Sequence, residues 1–116
     1  MIRRPSEMET EVRTNMRGGT GGVTFRHYFK KEEITAKTRL CAKLILPPGV
    51  SIGSHQHLEE DELFVILKGN GLLDDGKTQT PVSEGDAILT GKGEAHAIAN
   101  TGNTDLEIVA IIMCYK

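Results

Sequence analysis

The sequence predicts an all-β fold, a sandwich or barrel of many short strands, and three observations carry that reading. Turn-forming residues recur through most of the chain at Gly49, Gly69-Asn70-Gly71, Asp74-Asp75-Gly76, Pro81, Gly85, Gly91-Lys92-Gly93 and Asn100-Thr101-Gly102-Asn103. Short apolar or alternating runs fill the gaps, at the roughly 8–12-residue spacing of a β-sandwich or barrel. No segment holds a helical period for about a dozen residues, so helices have no claim on the core.

Each element follows from its own residues. Residues 1–22 are polar and end in "RGGTGG", the composition of a mobile N-terminal arm or loop, which leaves 23–116 as a single barrel domain. "VTFRHYF" (Val23 to Phe29) alternates and is rich in aromatic and β-branched residues, so it suits a strand. "TRLCAKLIL" (Thr38 to Leu46) alternates and is stopped by Pro47-Pro48-Gly49. Leu63 to Leu67 has nothing polar on either face. "LEIVAIIMCY" (Leu106 to Tyr115) is apolar on both faces and reads as a central or interface strand.

Composition limits the function classes. A chain of 116 residues makes one domain with a core of its own. A net charge of −2 provides no basic footprint for nucleic acid. "MIRRPSEMET" is charged where a signal peptide needs an apolar stretch, and no window is long and apolar enough to span a membrane. Cys41 and Cys114 lack CxxC spacing and are expected to be reduced and buried. A cytoplasmic location is therefore expected.

The chemistry is concentrated in "GVSIGSHQHLEEDELFVILKG", Gly49 to Gly69. His55 and His57 stand at i and i+2, so both project from one face of a strand, a ready pair of metal ligands. Glu62 opens the apolar run and shares its face with Phe64 and Ile66. A hairpin through "LEED" is expected to bring that carboxylate back to the histidines. Glu59, Glu60 and Asp61 read as a solvated loop, with Asp61 the rival to Glu62 under a one-residue register change. His96 shares a strand face with Ile98 and Asn100 and is the third imidazole.

These residues resemble the two cupin motifs. G-x5-H-x-H-x4-E-x6-G is met at all its fixed positions, by Gly49, His55, His57, Glu62 and Gly69. G-x5-P-x-G-x2-H-x3-N is met by Gly85, Gly93, His96 and Asn100, with Gly91 where the family usually has proline. The resemblance runs from about Thr38 to the C-terminus. It implies a double-stranded β-helix (jelly-roll) barrel holding one metal ion on His55, His57, Glu62 and His96. Three imidazoles and a carboxylate suit a divalent transition metal such as Mn, Fe, Co, Ni, Cu or Zn, manganese being favoured. It also implies a homodimer through one sheet.

The overall look resembles small cupins described as oxalate-decarboxylase-like, with one departure. Those carry an arginine three residues before the first metal histidine, where this chain has Ile52. Arg39 and Lys43 replace it only if their strand face is inward. Glu94, inward by parity with His96, and His27 on the first strand are the candidates for a general acid or base. Of two functions, the first is the expected one and the second its alternative. One is a metalloenzyme of decarboxylase, dioxygenase or isomerase type acting on a small carboxylate, dicarbonyl or sugar derivative. The other is a small-ligand- or metal-binding module without turnover.

Overall fold

The computed structural model describes all 116 residues. Ten strands form it: β1 Thr10–Thr14, β2 Gly22–His27, β3 Thr38–Leu46, β4 Ser51–Gln56, β5 Glu60–Lys68, β6 Asn70–Asp74, β7 Gln79–Ser83, β8 Ala87–Thr90, β9 Ala95–Asn100 and β10 Leu106–Cys114. They pair antiparallel in two sheets, one ordered β1-β2-β3-β10-β5-β8 and the other β4-β9-β6-β7. This is the jelly-roll barrel that the turn spacing and the motifs predict. The only helical pieces are three short 3-10 turns, and no helix is long and apolar enough to cross a membrane.

Alternation makes the core. Leu40, Ala42, Leu44 and Leu46 of β3 point between the sheets, as do Leu106, Ile108, Ala110 and Ile112 of β10. Facing them from the smaller sheet are Ile52, Val82 and Ile98. A fully buried side chain of this size contributes about 1.5–3 kcal/mol, against about 0–1 kcal/mol for an exposed ion pair. The apolar layer therefore holds the sheets together. β10 lies between β3 and β5, as its two apolar faces predict. Cys41 and Cys114 are free thiols, half-buried rather than enclosed, because both lie on outward positions of their strands.

Two expectations are corrected. The first 22 residues do not stand apart as an arm, because β1 pairs residue for residue with β2 and becomes the edge of the larger sheet. Its side chains are almost all exposed, so no apolar period marks it in the sequence. Arg3 fastens the segment before it through two bonds to Glu33, at 2.7 and 2.6 Å. The link after His57 is not a hairpin either, since β4 and β5 belong to different sheets. It crosses from one sheet to the other, and a short polar crossing has the same composition as a turn.

Asn100 closes the barrel from inside. Its side-chain amide donates to the carbonyls of Leu46 and Thr104, each at 2.8 Å, and its Oδ1 accepts from the Gly102 N–H. Asn100→Ala leaves three buried or half-buried backbone groups without a partner, and each such group costs about 1–3 kcal/mol. The expected loss in chemical denaturation is about 3 kcal/mol or more. A midpoint unchanged from wild type would show that water replaces the amide.

Candidate metal centre

The histidines are aimed by the pairing of β4 with β9. The register sets His55 opposite His96, and Ile52 opposite Ile98. Three steps on β4 thus match two on β9, a bulge that gives Gly53-Ser54 one extra residue. Without it, Ile52 and His55 would lie on opposite faces. With it, both point inward, the re-aiming for which strands use bulges. His57 follows β4, donating its N–H to the Glu94 carbonyl at 2.9 Å, and its own carbonyl accepts from Gly93 at 3.0 Å. Glu62 comes from β5 on the opposite sheet, on the buried face with Phe64 and Ile66.

The four side chains converge. Glu62 Oε1 lies 2.9 Å from Nε2 of both His57 and His96, and 3.9 Å from Nε2 of His55. The Nε2 atoms of His57 and His96 are 3.1 Å apart. The three rings stand in mutual edge-to-face contact with centroids 4.8 Å apart, and Phe64 stacks on His96 at 4.9 Å. His57, Glu62 and His96 are almost wholly buried.

Every Nδ1 is already engaged. That of His55 donates to the Gly53 carbonyl at 2.9 Å, that of His57 to Glu60 Oε2 at 2.5 Å, and that of His96 meets Thr90 Oγ1 at 2.9 Å. A carbonyl and a carboxylate only accept, so on His55 and His57 the proton of a neutral ring sits on Nδ1 and the Nε2 lone pair faces the cluster, while the Thr90 hydroxyl can serve either tautomer of His96. Glu62 Oε1, buried among those lone pairs, makes no regular hydrogen bond. Burial pushes the Glu62 carboxyl upward, but hydrogen bonds from the imidazoles, which only a ring carrying a proton on Nε2 can give, hold it far below the usual carboxylate range. Contact with Glu62 raises His57 against the opposing effect of burial. The centre therefore demands positive charge. A proton bridges one pair, whereas a divalent ion satisfies all four donors. At a metal–donor distance of about 2.1 Å, donors in adjacent octahedral positions lie about 3.0 Å apart, close to the 2.9 and 3.1 Å separations among His57, His96 and Glu62. The cluster His55, His57, Glu62 and His96 is compatible with a divalent metal site.

The neighbours of the ligands include residues that the sequence reading placed in solvent. Glu60 is buried, and besides His57 it takes Nε and a terminal nitrogen of Arg39, both at 2.8 Å. The Arg39 guanidinium holds the Glu60 carboxyl below its ordinary range. Its signal in the sequence was spacing, since Glu60 and Glu62 share one face of β5. Asp61 faces the other way and accepts the Tyr115 hydroxyl at 2.6 Å, which removes it as a ligand rival. Glu94 is exposed, its carboxylate accepting the Gly91 N–H at 3.2 Å, because it lies in the turn before β9 where strand parity does not apply. His27 is buried on β2, 3.7 Å from Glu11, and stands outside the metal cleft. Lys43 pairs with Glu107 on the outer face.

A cleft opens onto the cluster, with His55 and Glu62 in its lining, Phe25, Leu44, Ile52 and Phe64 among its apolar walls, and Arg13, Arg17 and Arg39 as its cations. An antiparallel jelly roll with three imidazoles and one carboxylate at the end of such a cleft is the architecture of a metal-site barrel protein. Residues 42–112 match the Cupin domain family, and the chain belongs to it. It is 46% identical over 113 residues to the oxalate-binding protein of Thermotoga maritima, covering 97% of this chain and 93% of that one. A crystal structure described as a predicted oxalate decarboxylase from Thermotoga maritima superposes with a TM-score of 0.93 at 46% identity, covering 98% of this chain and 99% of that one. KdgF from Halomonas sp. shares the fold alone, with a TM-score of 0.79 at 13% identity over 100% of this chain and 94% of that one.

Outer partners of metal-binding histidines typically contribute 10–100-fold to metal affinity. Glu60→Gln removes the charge on His57 Nδ1 and is expected to weaken metal binding by about that factor, with the fold retained. Competition titration against a chelator checks it, and an affinity equal to wild type would limit Glu60 to its pairing with Arg39.

Proposed function

We propose that the protein binds a small carboxylate at one divalent transition-metal ion, manganese favoured, held by His55, His57, Glu62 and His96. The observation that carries this reading is the convergence of four donor groups, three of them buried and His55 half-buried, at the end of an arginine-edged cleft. The oxalate-binding relative, similar over almost the whole chain, supports it. When bound, the ion supplies Lewis acidity and free coordination positions for two oxygens of a carboxylate, dicarbonyl or sugar derivative. The chain's own residues do the rest. Glu60 and Thr90 orient His57 and His96. Phe64 fixes the plane of His96, and the apolar walls exclude water from the ligand.

The predicted-oxalate-decarboxylase description of the similar crystal structure favours a second reading, a metalloenzyme acting on the same ligand class. Turnover needs a group that moves a proton at the ligand. Glu94 and His27, the candidates from the sequence, do not line the cleft, and Glu60 reaches the cluster only through His57. Binding is therefore the better-supported function. The proposal includes a cytoplasmic homodimer, consistent with Leu67, Leu89 and Met113 exposed on β5, β8 and β10 of the larger sheet. A light-scattering mass of one chain would overturn the dimer.

Calorimetric titration with oxalate tests the function. Manganese-loaded protein is expected to bind it, while chelator-treated protein and His57→Ala are expected to show no heat. Equal binding with and without metal would overturn the reading. Formate or carbon dioxide appearing from oxalate would establish turnover in place of simple binding.

A further inference from the structure

Resting on the carboxylate-binding reading above, we infer that Arg17 receives the second anionic group of the ligand, so that the cleft selects small dicarboxylates over monocarboxylates. Three arginines line the cleft beside His55 and Glu62. Two are already engaged. Arg39 is held bidentate by Glu60. Arg13 donates through Nε to Glu11 and lies over the Phe25 ring, 4.1 Å from its centroid. Arg17 is exposed and has no carboxylate partner, which makes it the uncommitted cation of the cleft.

Its position is built rather than incidental. Arg17 and Asn15 both adopt left-handed backbone conformations, with φ of 53° and 52°. A non-glycine residue there costs on the order of 1–3 kcal/mol and persists only where its surroundings enforce it. Here they do. Asn15 Oδ1 accepts the Gly21 N–H at 3.1 Å. Thr20 donates to Ser51 Oγ at 3.0 Å, and the Ser51 N–H donates to the Thr20 carbonyl at 2.9 Å. Gly19 and Gly53 permit a close approach of the two backbones. A Cβ on Gly53 would overlap the Arg17 carbonyl oxygen, and one on Gly19 would overlap that of Ser51. The turn that carries Arg17 is thus clamped onto β4, the strand that carries His55.

The chemistry follows from the charge count. A ligand held by one carboxylate at the His/Glu cluster leaves its other anionic group in the cleft. A guanidinium meets such a group with two parallel N–H donors. A monocarboxylate lacks that group and leaves Arg17 to water. Ile52, in the wall beside His55, is apolar and buried, and the uncommitted cation lies on the N-terminal turn.

The test compares oxalate and malonate with glycolate by calorimetry on manganese-loaded wild type, Arg17→Asn and Arg17→Lys. Asparagine tolerates the left-handed conformation, so the turn is kept. Arg17→Asn is expected to weaken oxalate and malonate about 10–100-fold, with glycolate nearly unaffected, manganese stoichiometry unchanged and Arg17→Lys intermediate. Dicarboxylate affinity unchanged in Arg17→Asn, or an equal loss for glycolate, would overturn the assignment of Arg17 while leaving the carboxylate reading intact. A metal-loaded wild type that binds none of the three acids would overturn both.

Discussion

Three imidazoles and one carboxylate converge at the inner end of the cleft, three of the four almost wholly buried, and much of the architecture serves that arrangement. Such a group is stable only around positive charge, since burial alone would protonate the carboxylate or force the rings apart. The donors come from both sheets: His55 and His96 from the smaller, Glu62 from the larger, and His57 from the crossing between them. The bulge at Gly53-Ser54 exists because His55 must face the same way as Ile52. The crossing is kept short, at His57 to Glu59, so that Glu62 arrives within reach. An ion held there would bridge the two sheets, since its ligands come from both.

Around this point, charge is arranged in shells of decreasing burial. Glu62 stays ionised because of the imidazoles, and His57 is pulled upward by Glu62. Glu60 is held ionised by Arg39, whose other face looks into the cleft. Each acid near the centre is thus matched to a base one step further out. The final member of the series, Arg39, is partly solvated, where its charge costs little. A chain with a net charge of −2 in this way presents a cationic entrance beside its one buried carboxylate ligand.

Much of this was legible in the sequence, for a physical reason. Strand parity is a strict rule, so His55 with His57, Glu62 with Phe64 and Ile66, and His96 with Ile98 and Asn100 could be assigned to faces from spacing alone. What parity could not reach is what lies outside regular strands or depends on a second segment. β1 is an exposed edge strand with no apolar face to show. Glu94 fell to the turn, where parity stops. Glu60 looked like part of a solvated acidic run, because its burial depends on Arg39 and His57 arriving from elsewhere. Arg17 sat in a glycine-rich stretch that read as loop. Its glycines are spacers that let two backbones touch, a use that composition does not distinguish from flexibility.

Gly91, the one departure from the second motif, has its own logic. The volume that a side chain would fill there is taken by the Asp61 carboxylate, which is held by Tyr115, whose hydroxyl oxygen in turn accepts the Lys92 N–H at 3.1 Å. Proline would also remove the N–H that Gly91 gives to Glu94. A side chain at position 91 therefore requires the Asp61 carboxylate to swing away and give up its bond from Tyr115, so one glycine couples the second motif to the C-terminal end of the chain.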